Sequence, residues 1–168
     1  MWAPSSPSAP LSSPNAEPMT SQLTPQQIAE LVREGMYAQD DAVRALGIAI
    51  TAIGPGSATA VMTVRPDMLQ GHATCHGGLL ATLADTAFAY ACNACNEVTV
   101  ASGFSIDLMA AAREGDVLTA VAHELQQGGR LGVYDVAVHN QRGEAVAAFR
   151  GRSYRKRGQA VVTLPLSA

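Results

Sequence analysis

One stretch of this chain is apolar on nearly every face yet carries a charge in its middle. Residues 79–95, LLATLADTAFAYACNAC, hold one carboxylate, Asp85, and no Lys or Arg. Ala and Leu dominate the run, and both are strong helix formers. A helix apolar on so many faces cannot lie on a surface as an amphipathic element, so other parts of the chain must wrap it. The pair Gly77-Gly78 opens it, giving a buried helix with an accessible N-terminus. The run is about 17 residues long and broken by Asp85, too short and too interrupted for a membrane span. A buried carboxylate with no local cation costs on the order of several kcal/mol. That cost is met more often at a working site than in a plain core. The alternative is a structural carboxylate bonded to backbone or to Thr.

The rest of the chain must supply the wrapping. At 168 residues it suits one domain with a real core. Charged residues make up only 15%, below the usual quarter, which predicts that part of the surface is covered by a partner or by another copy. The net charge of −3, with Lys and Arg absent from the apolar run, argues against nucleic-acid binding. No basic and apolar leader opens the sequence. Three Cys cannot all pair internally and point to a reducing compartment, the cytoplasm.

Residues 1–21 are rich in Pro, Ser and Ala and are expected to form a disordered tail, with Met19 a candidate true start. Thr24-Pro25 opens a helix whose Ile28, Leu31 and Val32 share one face. A short helical piece over Asp40–Leu46 ends at Gly47. Strands are expected at Ile48–Ile53 and Ala58–Val64 around a Gly54-Pro55-Gly56 turn. Four more follow the apolar helix: Val98–Leu108, Asp116–Leu125, Leu131–Asn140 and Glu144–Lys156. In the first of these Val98, Val100, Phe104, Ile106 and Leu108 are read as one face. Residues 159–168 are expected to be a loose end, leaving 22–158 as the folded domain. Runs of strands with a segregated helix give an α+β fold, an antiparallel sheet of about six strands round one long helix.

His76-Gly77-Gly78 stands where the apolar helix begins. The first N–H groups of a helix lack internal partners, and the helix dipole adds positive character there. Such an end can hold an anion or an oxygen that becomes negative during reaction. Equally, the Gly pair can simply make a tight turn. Asp85 lies eight residues beyond Gly77, roughly 12 Å along the helix. One reacting carbon cannot touch both, so if both act, Asp85 of one copy must face Gly77 of another. His72, Cys75 and His76 lack a fourth ligand and precede the helix, which argues against a metal site. Cys92 and Cys95 match C-x-x-C but fall at the wrong end of a helix for redox work, and are read as two buried thiols. The cluster Arg150, Arg152, Arg155, Lys156 and Arg157 is read as a solvated strand edge or a phosphate contact.

Taken together, Met68-Leu69-Gln70-Gly71-His72, Cys75-His76-Gly77-Gly78, Leu83-Ala84-Asp85-Thr86-Ala87-Phe88-Ala89, Gly132-Val133-Tyr134-Asp135 and Phe149-Arg150-Gly151 closely resemble the PaaI-type phenylacetyl-CoA thioesterases, within the hotdog-fold acyl-CoA thioesterases. The likeness runs from about Met36 to Arg155. It implies a hotdog fold, dimers and usually tetramers, hydrolysis of aryl-acyl-CoA in phenylacetate breakdown, and no metal or cofactor. The family's catalytic Asp falls on Asp85, its helix-start Gly on Gly77 and the preceding His on His76. An amide seven residues before that Gly falls on Gln70, where Asn is common in the PaaI type. CoA contacts are implied near Gly128, Gly129, Arg130, Arg152 and Arg155. The rival readings are a hotdog-fold acyl-CoA hydratase or dehydratase and a non-catalytic acyl-CoA-binding protein.

Overall fold

The computed structural model describes residues 23–165. The expected tail over 1–21, with Met19, lies outside the described residues. In chain order the elements are α1 (Pro25–Gln39), α2 (Asp41–Ala45), β1 (Ala49–Gly54), β2 (Ser57–Thr63), a single 3-10 turn (Pro66–Met68), α3 (Gly77–Asn93), β3 (Thr99–Leu108), β4 (Val117–Gly128), β5 (Leu131–His139) and β6 (Ala145–Arg155). The six strands form one antiparallel sheet in the order β1-β2-β4-β5-β6-β3. This is the α+β arrangement expected from the sequence.

The helix starts follow from local chemistry. Thr24 Oγ1 accepts from the Gln27 N–H, and Gln27 Oε1 accepts from the Thr24 N–H, closing a capping box on α1. Asp40 caps α2 through the Val43 N–H. The strand registers follow from alternation. Ala58, Ala60 and Met62 on β2, Leu118, Ala120 and Ala122 on β4, Tyr134, Val136 and Val138 on β5, and Ala147 and Phe149 on β6 are all buried. They meet Leu80, Leu83, Ala84, Ala87, Phe88 and Ala91 of α3 in one core. Ala58, Ala60, Ala120 and Ala122 let the helix lie close to β2 and β4. Each large side chain buried here contributes about 1.5–3 kcal/mol.

Three expectations need correction. On β3, Val100 does not share a face with Phe104, Ile106 and Leu108. Ser102 is an extra residue in a bulge between Ala101 and Gly103, so Val100 stands opposite Tyr154 while Phe104 stands opposite Gly151. Those two β6 positions are an odd number of residues apart and point to opposite faces. β3 is also an edge strand, and its apolar face is only partly covered. The Cys pair is not doubly buried either: α3 ends at Asn93, so Cys92 is buried and Cys95 is exposed beyond the last turn. Nor is the C-terminal segment loose over its first residues. Asn96 Oδ1 accepts from the Val161 and Val162 N–H groups and its Nδ2 donates to the Val162 carbonyl, while the Val98 N–H donates to the Gln159 carbonyl.

The core leaves little slack where β6 passes under the helix. A Cβ on Gly151 would stand 2.9 Å from three atoms of the Phe88 ring. Gly151 is therefore a hole in the sheet that Phe88 fills. Gly151→Ala is expected to lower stability by about 1–3 kcal/mol through overpacking. Urea unfolding measures this, and an unchanged midpoint would mean that α3 can lift away from β6 at no cost.

Candidate active site

The loop before α3 is tied down at several points. The Cys75 N–H donates to the Ala112 carbonyl at 2.8 Å and the His76 N–H to the Met68 carbonyl at 2.9 Å. Gln70 shapes this loop from within. Its Nε2 donates to Thr74 Oγ1 at 2.7 Å and its Oε1 accepts from the His72 N–H at 2.7 Å. His72 is exposed. Among the described residues no three His, Cys, Asp or Glu side chains are grouped to hold a metal.

His76 has a task the sequence did not reveal: it is the N-cap of α3. Its Nδ1 accepts from the Gly78 N–H at 3.0 Å. In the neutral ring the proton must then sit on Nε2, which makes the exposed edge a donor. Gly77 is the first residue of α3, and its own N–H belongs to the unsatisfied set at a helix start.

Asp85 lies midway along the same helix, half-buried in the stripe with Thr82 and Ala89. Its Oδ1 is buried without a hydrogen-bond partner. The Thr hydroxyls that could have satisfied it are committed elsewhere: Thr82 donates to the Gly78 carbonyl at 2.9 Å and Thr86 to the Thr82 carbonyl at 2.8 Å. Burial pushes the carboxyl above the usual carboxylate range.

Aromatic rings pack on one another in the core beyond it. Phe88, one helical turn on, has its ring 5.3 Å from Tyr134 and 5.9 Å from Phe149. Phe104 stacks on Phe149 at 4.9 Å and remains 45% exposed. The Tyr134 hydroxyl donates to Glu124 at 2.7 Å. Phe88 and Phe149 both stand in segments that carry the resemblance, but the stacking of Phe104 on Phe149 depends on β3 pairing with β6.

The residues expected near CoA do not form one surface. Arg130 lies over the Tyr154 ring at 5.9 Å and donates to its hydroxyl at 2.8 Å. Arg152 shares that outer face of the sheet, two positions from Tyr154 on β6. Gly128 and Gly129 close the β4–β5 hairpin beside them, Gly129 with φ +61°. Arg155 points the other way. It lines a cavity of about 590 Å³ at the C-terminal end of α3 with Cys92, Cys95, Glu124, Gln127 and Tyr134. Its Nε stands 3.4 Å from Glu97, an ion pair without a hydrogen bond. Three positions separate Arg152 from Arg155, so strand alternation sends them to opposite faces.

Comparison with known proteins bears on the family and the fold. The family model described as the Thioesterase superfamily matches residues 72–147. The acyl-coenzyme A thioesterase PaaI of Escherichia coli is 49% identical over 120 residues, covering 71% of this chain and 86% of that protein. The structure of E. coli PaaI, from the phenylacetic acid degradation operon, superposes with a TM-score of 0.79 at 45% identity, covering 81% of this chain and 99% of that one. A mutant of the phenylacetic acid degradation protein PaaI from Thermus thermophilus gives 0.67 at 36% identity, covering 70% and 100%. A hypothetical thioesterase protein from Streptococcus pneumoniae, solved with coenzyme A, gives 0.64 at 26% identity, covering 67% and 90%. Fold and sequence together define a hotdog-fold protein of the thioesterase superfamily. Within that superfamily the chain belongs to the PaaI-type acyl-CoA thioesterases.

The orphaned carboxylate has a measurable consequence. A group whose pKa is raised in the folded state binds its proton more tightly there than in the unfolded chain. Asp85 therefore lowers stability as pH rises from its unfolded value, ~3.9, through its higher folded value. Asp85→Asn is expected to raise the melting temperature at neutral pH, with the gain vanishing below the unfolded value. Thermal denaturation of both proteins between about pH 3 and pH 8 reads this difference. Equal melting at neutral pH would mean that the charge is compensated.

Proposed function

We propose that this chain hydrolyses acyl-CoA thioesters to free acid and CoA, with aryl-acyl groups of the phenylacetyl or hydroxyphenylacetyl type as substrates, in phenylacetate breakdown. The observation that carries the mechanism is the buried, unpartnered carboxylate of Asp85 on the same rigid helix as an open N-terminus at Gly77. The thioester carbonyl oxygen accepts from the Gly77 N–H, where the helix dipole favours developing negative charge. Asp85 of a second copy takes a proton from the attacking water, or attacks the carbonyl itself to form an anhydride that water then opens. In both routes the C–S bond breaks, the thiolate leaves as CoA, and the acid gains its second oxygen from water. A carboxylate held above its usual pKa is a stronger base than an exposed one, which suits the first route. His76 presents Nε2–H toward carbonyl or thiolate, and Gln70 holds the shape of the loop.

The ring of the acyl group stacks on the open face of Phe104, backed by Phe149 and Phe88. The nucleotide end of CoA lies over Tyr154, Arg130 and Arg152, where an aromatic ring and two guanidinium groups share one face. The name of the E. coli relative and the coenzyme A bound to the streptococcal neighbour support this reading. No helix of the described residues is long and apolar enough to cross a membrane, and the free thiols of Cys75, Cys92 and Cys95 support a cytoplasmic enzyme.

Two copies are required because a helix does not bend Gly77 toward its own Asp85. The exposed ten-residue edge strand β3, with Val100, Phe104 and Leu108 uncovered, supports pairing there, and a further pairing of dimers gives a tetramer. Sedimentation is expected to give at least twice the 17.4 kDa chain mass. A fully active monomer would overturn the shared site. For the reaction itself, thiol release is expected to be fastest with phenylacetyl- or hydroxyphenylacetyl-CoA. Asp85→Asn should cut kcat by roughly 10²–10⁴-fold without changing the oligomer. Undiminished turnover in that variant would remove Asp85 from the mechanism.

A further inference from the structure

Gly77 is not a glycine for reasons of backbone conformation. The glycines with positive φ are Gly47, Gly56, Gly115, Gly129, Gly143 and Gly158. Gly77 has instead a close neighbour outside the helix: a Cβ there would stand 2.7 Å from Leu108 Cδ1, the end of a flexible side chain. The Leu108 isopropyl group thus fills the space beside the helix's first residue. Yet Leu108 is itself 55% exposed, and the neighbouring Met109 63%. Its backbone is held firmly, since the Met109 and Ala110 N–H groups donate to the Val146 carbonyl at 2.8 and 3.3 Å. This half-exposed apolar group, on the edge strand assigned above to pairing between copies, stands against Gly77 and takes no part in the chemical steps above.

We infer that Leu108 sets how much bulk the acyl group can carry on the carbon next to the thioester carbonyl, so that unbranched acyl-CoA thioesters are accepted and α-branched ones excluded. The inference rests on the thioesterase reading. An oxygen accepting from the Gly77 N–H lies about 2.9–3.0 Å from the nitrogen. The acyl α-carbon is two bonds from that oxygen and occupies the same shell around Gly77 as the Leu108 methyl groups. A CH₂ passes them; a carbon bearing one more methyl meets Cδ1. His76 is fixed as the helix cap and cannot yield instead. One methyl in such a pocket alters kcat/KM by roughly 10–200-fold.

The test compares phenylacetyl-CoA with 2-phenylpropionyl-CoA, which differ by one methyl at that carbon, in the wild-type chain, Leu108→Ala and Leu108→Val, by thiol release. The wild type is expected to favour the unbranched thioester by roughly 10-fold or more. Leu108→Ala should collapse that preference, and Leu108→Val should reduce it in part. A lower rate on both substrates with the ratio unchanged would make Leu108 a structural residue and overturn the inference. So would a wild type that does not discriminate. If the Ala variant fails to fold, the ratio in the Val variant decides. Absence of thiol release from either substrate in the wild type would overturn the thioesterase reading and this inference with it, a result distinct from turnover without selectivity.

Discussion

Everything in this structure depends on one burial: α3 against the inner face of the sheet. The helix is too apolar to stand in water, and the sheet's inner residues are too apolar to face it. Their union sets the strand order and the close approach over Ala58, Ala60, Ala120 and Ala122. It also requires the missing side chain at Gly151, where Phe88 enters the sheet. A core packed this closely behaves as a solid and transmits displacement. Any group carried on α3 is therefore held to the position of the helix itself.

That rigidity gives the Asp85 carboxylate its meaning. A flexible segment would rotate the charge into water or toward a cation. Here the helix holds it half-buried, and the nearest hydroxyls, Thr82 and Thr86, are turned back onto helix carbonyls. The same rigidity keeps Gly77 and Asp85 apart by about eight residues of rise, roughly 12 Å. No local motion brings them together without breaking α3. The proposed second copy meets that constraint without breaking the helix, and the partly uncovered strand β3 is the sheet edge where the proposal places the pairing.

The fold was legible because its signals are local or periodic. Thr24-Pro25 announces α1, Gly54-Pro55-Gly56 announces the first hairpin, and alternation marks β4, β5 and β6. The features that escaped are those set by contact between distant segments. The extra residue at Ser102 inverts the parity of β3, and apolar residues on both sides of it hide the inversion. Arg152 and Arg155 sit in one basic cluster in the sequence, yet the strand divides them between two faces. Strict alternation over the expected strand Glu144–Lys156 separates them, whereas charge alone groups them. The binding of Val161 and Val162 by Asn96 leaves no trace in composition, because one amide makes all three contacts. In the site, Asp85 stood out by its missing cation and Gly77 by its place at the helix start. The capping role of His76 was within reach of the residue order, but His is not among the preferred caps.

The start of α3 shows how two demands can fall on one residue. A glycine at a helix N-terminus is commonly explained by what must come near it from solution. At Gly77 part of the space is already taken from within, by Leu108. The helix start is thus bordered by an apolar wall on one side and by the capping imidazole of His76 on the other. In the proposed complex an acyl group seated against Leu108 displaces water near the N–H, and an interaction with developing charge strengthens as water is excluded. The imidazole supplies a donor on the other flank, with its tautomer fixed by the cap. In the proposed mechanism the Gly-Gly pair lets a neighbouring side chain, a cap and a substrate oxygen meet at two adjacent peptide groups, the cap at the Gly78 N–H and the oxygen at the Gly77 N–H. Neither the turn-forming nor the ligand-approach explanation, taken alone, accounts for the contact with Leu108.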